Sequence, residues 1–116
     1  GTKSTVVTTQ NAYKGSAKWS TSTAWATRFH IPDTHYDTSK EYIYSFYARA
    51  TGSMSGVSGG VYVYGLVTSK WVCNISQLTT GWVRYAVRVN VDQDTPNSIH
   101  VTIKETLSNG HKVEFC

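Results

Sequence analysis

Two stretches of the chain alternate apolar and polar side chains with a period of two. In Tyr42–Gly52, YIYSFYARATG, Tyr42, Tyr44, Phe46 and Ala48 fall on one side, and Ile43, Ser45, Tyr47 and Arg49 on the other. Successive strand side chains point to opposite faces, so this is the pattern of a strand with one packed face. In Gly81–Val91, GWVRYAVRVNV, the residues Val83, Tyr85, Val87, Val89 and Val91 make an unbroken apolar row against Trp82, Arg84, Ala86, Arg88 and Asn90. Two guanidiniums in one row cannot be buried without partners, so each of these strands packs one face and wets the other.

The same period recurs elsewhere. Ala24–Ile31 sets Trp25, Thr27, Phe29 and Ile31 against Ala24, Ala26, Arg28 and His30, a phase that assigns Trp25 to the core. Pro32, which has no N–H to give a central ladder, ends that strand. In Val61–Val67, Tyr62 and Tyr64 alternate with Val61 and Val63, so whichever pair turns inward, the other lines a surface. Ser69–Ile75 reads as a short strand holding Trp71 and Cys73, the facing of Trp71 being undecided. Ile99–Glu105 sets Ile99, Val101 and Ile103 against His100, Thr102 and Lys104. Asn109-Gly110, two residues that tolerate positive φ, predicts a hairpin between that strand and Lys112–Cys116.

Between these segments lie turn and loop signals. Asp33–Lys40 and Asp92–Ser98 crowd Asp, Ser, Thr and Pro together without apolar periodicity, and the Gly- and Ser-rich Thr51–Gly60 reads as a flexible connection. The polar Thr2–Thr9 is an edge strand or the end of a linker. Trp19 lies among Ser and Thr with no apolar partner, which marks it as an exposed platform. About eight short strands and no convincing helix imply an all-β, antiparallel two-sheet sandwich or a barrel.

Composition agrees with that class. Thr, Ser, Val and Tyr are abundant and Leu, Ala and Glu scarce, the usage of twisted, half-buried sheets. The 116 residues suffice for one domain, residues 1–116, with an ordinary core. The net charge of +4 is spread along the chain, which permits contact with acidic glycans or nucleic acid and demands neither. No leader-like segment or apolar stretch of membrane length is present, so no membrane insertion is expected. Cys73 and Cys116 are the only cysteines, and their spacing favours free thiols over a disulfide framework. Asn74-Ile75-Ser76 fits a glycosylation acceptor, a short pattern that arises often by chance.

Catalytic chemistry finds little support. The seven acids, Asp33, Asp37, Glu41, Asp92, Asp94, Glu105 and Glu114, fall in turns or at strand ends, where carboxylates usually cap and solvate. Asp92 and Asp94 offer calcium only a fraction of the six or more oxygens it needs. His30, His35, His100 and His111 show no zinc-ligand spacing. Aromatics interleaved with basic residues suit single-stranded nucleic acid, yet the charges are few and no nucleic-acid signature accompanies them. Sugar binding asks for less: aromatic faces to stack on pyranose C–H patches, and planar donors for hydroxyls. A wet sheet face carrying Tyr47, Arg49, Trp82, Arg84, Arg88 and His100, with Lys104, meets both needs.

The segments Ala12–Ser20 (AYKGSAKWS), Glu41–Gly52 (EYIYSFYARATG), Leu78–Val91 (LTTGWVRYAVRVNV) and Ser98–Glu105 (SIHVTIKE) follow one another in an order that resembles the jelly-roll carbohydrate-binding modules attached to xylanases, and their relatives in phage tail proteins. The resemblance implies a non-catalytic glycan-binding domain of a phage tail fibre or baseplate receptor-binding protein, located on the virion or outside the cell. Its partner would be a host cell-surface polysaccharide. Two other roles are compatible: a structural or trimerising spacer of a virion fibre, which would form a homotrimer and bind no sugar, and an accessory module of a secreted polysaccharide hydrolase. Members of that family hold a structural calcium with acidic residues near both ends. Here the ends read GTKSTVVTTQ and VEFC, so no cofactor is expected and a structural calcium is in doubt.

Overall fold

A computed structural model describes residues 18–26, 28–31, 39, 41–64, 69–90 and 99–116. The expected edge strand or linker at 2–9, the acids Asp33, Asp37, Asp92 and Asp94, and Tyr36 lie outside the described residues. Among the described residues eight strands are formed: β1 (Trp19–Thr21), β2 (Arg28–Ile31), β3 (Glu41–Ala50), β4 (Gly60–Tyr64), β5 (Lys70–Asn74), β6 (Val83–Asn90), β7 (Ile99–Ile103) and β8 (Val113–Phe115). Among the described residues the one helical element is a 3₁₀ turn, Ile75–Gln77. No helix there is long and apolar enough to cross a membrane.

The strands make two four-stranded antiparallel sheets, β1-β8-β3-β6 and β2-β7-β4-β5. The chain is an all-β, two-sheet antiparallel sandwich. Consecutive strands alternate between the sheets except at β4–β5, the single hairpin within one sheet. Alternation of sheet follows from the alternation of side chains. Each strand has one apolar row, and a connection that crosses the sandwich end lets the next strand bury its own row against the last.

The core is where those rows meet. From the first sheet come Tyr42, Tyr44, Phe46 and Ala48 on β3, Val89 on β6, and Val113 and Phe115 on β8; from the second come Val61, Val63, Cys73, Ile99, Val101 and Ile103. Phe46 lies 5.9 Å from Phe115, edge to face, and 5.8 Å from Tyr85, stacked. The buried Tyr44 hydroxyl reaches across to the facing sheet, where it accepts a hydrogen bond from the Val101 N–H at 3.2 Å. That contact satisfies a polar group which would otherwise be costly in an apolar seam.

The structure corrects several sequence expectations. Trp19 is no exposed platform: it is half-buried and its ring lies 6.0 Å from Phe115, because β1 pairs with β8 in the register Trp19 to Phe115. The apolar row of β6 is only partly buried, with Val83 43% exposed, since β6 is an outer strand of its sheet among the described residues. The Thr51–Gly60 segment is pinned where Met54 is buried and the Val57 N–H bonds to the Met54 carbonyl. Asn109 and Gly110 do adopt positive φ, 57° and 75°. Their turn, however, joins strands of different sheets, β7 and β8, so it bends a crossover and closes no hairpin.

Cys73 and Cys116 are both free and buried. Cys73 faces the core from β5, while Cys116 sits beside Tyr47 on the outward row of the other sheet, exchanging two backbone hydrogen bonds with it. Reducing agent is therefore expected to leave the melting temperature unchanged; a drop on reduction would show a bridge. The burial pattern makes a second expectation. Val101→Asp should leave no cooperative unfolding transition in urea, because it buries an unpaired charge at a position with no solvent access. Val83→Asp, on the same apolar pattern but exposed, should cost about 1 kcal/mol or less.

Candidate functional site

Each sheet presents an outer face, and the two differ in chemistry. On the first sheet, pairing sets Tyr47 opposite Arg84, Ile43 opposite Arg88 and Arg49 opposite Glu114. Tyr47, Arg49, Arg84 and Arg88 thus share one surface, as the alternation requires. The face is largely committed to itself. Glu114 is buried and central: its Oε1 accepts from Arg49 Nε and Nη2, both at 2.7 Å, while Oε2 accepts from Ser20 Oγ at 2.8 Å and faces Lys18 Nζ at 3.7 Å. Arg49 also lays its guanidinium 4.6 Å above the Trp82 ring. Arg88 lies 3.4 Å from Glu41. The guanidinium of Arg49 and the indole face of Trp82, both expected to meet a ligand, are spent on one another and on Glu114.

The second sheet's outer face is different. Val61 and Val63 turn inward, which leaves Tyr62 and Tyr64 outside, and pairing sets Tyr62 opposite Trp71 on β5 and opposite Thr102 on β7. Trp71 is 51% exposed, its indole held by a 3.3 Å hydrogen bond from Nε1 to Asn74 Oδ1. Gly60 makes room for the ring of Tyr62. A Cβ at 60 would stand 2.9 Å from Tyr62 Cε2 and 3.3 Å from Trp71 Cδ1, so both rings lie close over the bare backbone.

Trp25 completes the row, and the alternating pattern had assigned it to the core. It is 50% exposed, because residues 22–26 form a turn before β2 in place of the first half of a longer strand. Its φ of 64° is left-handed, a conformation that costs a non-glycine residue about 1–3 kcal/mol. Hydrogen bonds hold the turn against β7 and the segment after it: Trp25 N–H to the Ile103 carbonyl (2.8 Å), Ala24 N–H to Thr106 Oγ1 (3.1 Å), Thr102 Oγ1 to the Ala26 carbonyl (2.9 Å) and Leu107 N–H to the Ser22 carbonyl (2.8 Å). The indole meets Tyr64 edge-on, with ring centroids 5.3 Å apart.

His100 is the misplaced member of the sequence-derived set. It belongs to β7, so it stands on the opposite side of the sandwich from Arg84 and Arg88, and it is 7% exposed with Tyr64 packed on its ring at 5.7 Å. Lys104 leaves the other residues in the same way. Its ammonium stands 3.9 Å from the Tyr62 ring and 5.5 Å from the Trp25 ring, and donates to Ser69 Oγ. Trp71, Tyr62, Trp25 and Tyr64 therefore form one aromatic tier with a cation in its middle. Its span from β5 to the outer side of β7 covers three strand spacings, about 14 Å. Trp25 was hidden from sequence reasoning by its turn; Tyr62 and Tyr64 were visible as one of two alternating pairs.

Elsewhere, a shallow polar cleft lies between Ser55–Ser58 and the connection carrying Glu105 and His111, without a Trp, Tyr or Phe ring on its walls. Among the described residues no three His, Cys, Asp or Glu side chains gather as a metal site would require. The Cys73 thiol is pushed up by burial, against a smaller downward pull from its hydrogen bond with Tyr85. Burial of that kind disfavours the thiolate.

Burial raises the Glu114 carboxyl, but hydrogen bonds from Ser20 and Arg49 and the charges of Arg49 and Lys18 outweigh it and hold the group below the ordinary glutamate value of 4.5. A depressed folded-state value means that the network contributes its full stability above the unfolded value and loses it as pH falls through the folded one. Glu114→Gln is expected to destabilise the domain by about 1.5–3 kcal/mol at neutral pH, the worth of hydrogen bonds to a charged group. In urea unfolding, the gap between variant and wild type should close below pH 4.5; a gap that stayed constant would show that the carboxylate's charge is immaterial.

Compared with protein-family models, with curated proteins and with solved structures, the chain gives no match to any of the three.

Proposed function

We propose that this chain is a non-catalytic glycan-binding domain, and that its binding surface is the outer face of the β2-β7-β4-β5 sheet, not the arginine-bearing face of the other. The observation that carries the reading is the aromatic tier of Trp25, Tyr62, Tyr64 and Trp71. Trp25, Tyr64 and Trp71 expose 50%, 41% and 51% of their surface, side by side on three neighbouring segments. Exposed aromatic side chains scattered singly need no explanation, but a contiguous set does. Flat rings present a π-face to the C–H patches of a pyranose, and the indole and phenol edges supply polar atoms for its hydroxyls.

Backbone strain at Trp25 supports the same reading. A left-handed tryptophan persists only where surrounding hydrogen bonds over-determine it, and such strain concentrates where a side chain must be aimed. The setting we propose is the one implied by the resemblance of the β3 and β6 segments: a phage fibre or baseplate, with host cell-surface polysaccharide as the ligand.

A glycan array probed with the domain, followed by calorimetric titration of its best ligand, tests the proposal. Trp71→Ala and Tyr64→Ala should each weaken binding by about 1–3 kcal/mol, the cost of removing a stacking platform, with unchanged melting. Arg84→Ala and Tyr47→Ala, on the other sheet, should leave affinity within error. The reverse result would return the site to the first sheet. Absence of binding to every glycan would make the tier a docking face for a neighbouring domain in a structural spacer.

A further inference from the structure

Resting on the glycan-binding reading, we infer that the ligand is anionic: the sugar stacked on the aromatic tier carries a carboxylate or sulfate that pairs with Lys104. Lys104 is half-buried, and its Nζ stands over the Tyr62 ring at 3.9 Å and within 5.5 Å of the Trp25 ring. An ammonium has three N–H donors and no acceptor. Among the described residues a single acceptor takes one of them, the hydroxyl oxygen of Ser69.

No described carboxylate stands near it. Glu41 faces Arg88 and Glu114 is held by Arg49, Ser20 and Lys18, all on the other sheet. Glu105 packs its side chain against Gly59, toward the end of the sandwich. The contrast within the molecule is direct. Among the described residues Arg49, Arg88 and Lys18 each lie beside an acid, and Arg84, Lys70, Lys112 and Lys104 do not; of these four, Lys104 is the one whose ammonium stands against aromatic ring faces.

A lysine whose stem is packed between rings loses part of its hydration and most of its rotamer freedom. Ring faces compensate some of that loss by cation–π attraction. Two of its three N–H groups have no acceptor among the described residues, and a sugar stacked on the rings would bring its substituents within their reach. An anionic substituent there would accept from an ammonium already held in position, in a charge-assisted bond stronger than one to a neutral hydroxyl. The remaining donors would keep the sugar in register along the tier. A neutral glycan could use the same rings but would gain nothing comparable from the charge.

The test uses the domain and pairs of polymers that differ in charge: polygalacturonate, alginate and hyaluronate, each beside its carboxyl-reduced form, and a sulfated galactan beside its desulfated, neutral form, with neutral glucans on the same array. Wild type is expected to bind at least one anionic polymer at least tenfold more tightly than its neutralised counterpart. Loss on carboxyl reduction identifies a carboxylate, and loss on desulfation a sulfate. Lys104→Met, which keeps the stem, should bind the charged and neutralised forms equally, its fold checked by thermal melting. Equal wild-type binding of charged and neutral forms, still abolished by Trp71→Ala, would overturn the charge inference and leave the glycan reading standing. A preference for charge that survives in Lys104→Met would remove Lys104 from the role. No binding to any polymer would overturn both. The wild-type arm needs no variant, so a Lys104→Met that failed to fold would still leave the inference exposed to refutation.

Discussion

Burial of the β3 aromatic row against the facing sheet is the constraint on which the rest of the molecule depends. Tyr42, Tyr44 and Phe46 are each 7% exposed or less, and they meet Val61, Val63, Val101 and Ile103, which have no solvent access at all. Fully burying such side chains contributes about 1.5–3 kcal/mol each. The Tyr44 hydroxyl, bonded to the Val101 N–H, ties one central strand to the other across the seam. Because a strand has only two faces, fixing Val61 and Val63 inward fixes Tyr62 and Tyr64 outward. The aromatic tier exists as a consequence of the core.

The two outer faces then diverge by what their neighbours supply. On the β1-β8-β3-β6 sheet, Glu114 falls between Ser20 and Arg49 on adjoining strands, and the three lock into a network that leaves Arg49 and Trp82 facing each other. That network links three strands and commits Arg49 and one face of Trp82 within the protein, while Arg84 and Ile43 stay exposed beside it. On the β2-β7-β4-β5 sheet, β4 and β5 bring aromatic rings out beside a glycine, and the 22–26 turn swings a fourth ring over β7. Rings and a lone ammonium make a face whose interactions are incomplete, and that incompleteness is the physical basis for expecting a ligand there.

Local rules are broken in one place above all. Trp25 is a bulky residue at positive φ, at a position where the strand pattern called for an extended, inward-facing residue. Hydrogen bonds from β7 and the segment following it impose that conformation, and the result is an indole aimed along the sheet surface. Departures from local preference that the surrounding fold enforces tend to mark functional positions.

Much of the architecture was legible from period-two alternation alone. The rows of β3, β4, β6 and β7 needed only the rule that neighbouring side chains point oppositely, and the fold class followed from the number of such rows. Tyr47 and Arg49 fall on one side of β3, and Arg84 and Arg88 on one side of β6, for the same local reason; the pairing of β3 with β6 puts the two sets on one face. Tertiary structure decided which faces belong to the same sheet. His100 and Arg84 are both outward on their strands, yet β7 and β6 lie in different sheets, and no residue pattern within either strand records its partner. It also decided what each outward residue meets: Glu114 neutralises Arg49 from 65 positions away, and Thr102 and Ile103 hold a turn nearly 80 positions earlier in the chain. Alternation is a property of one strand's backbone and can be read from consecutive residues; strand pairing and side-chain partnership are contacts between distant segments, fixed only when the whole apolar surface is buried at once.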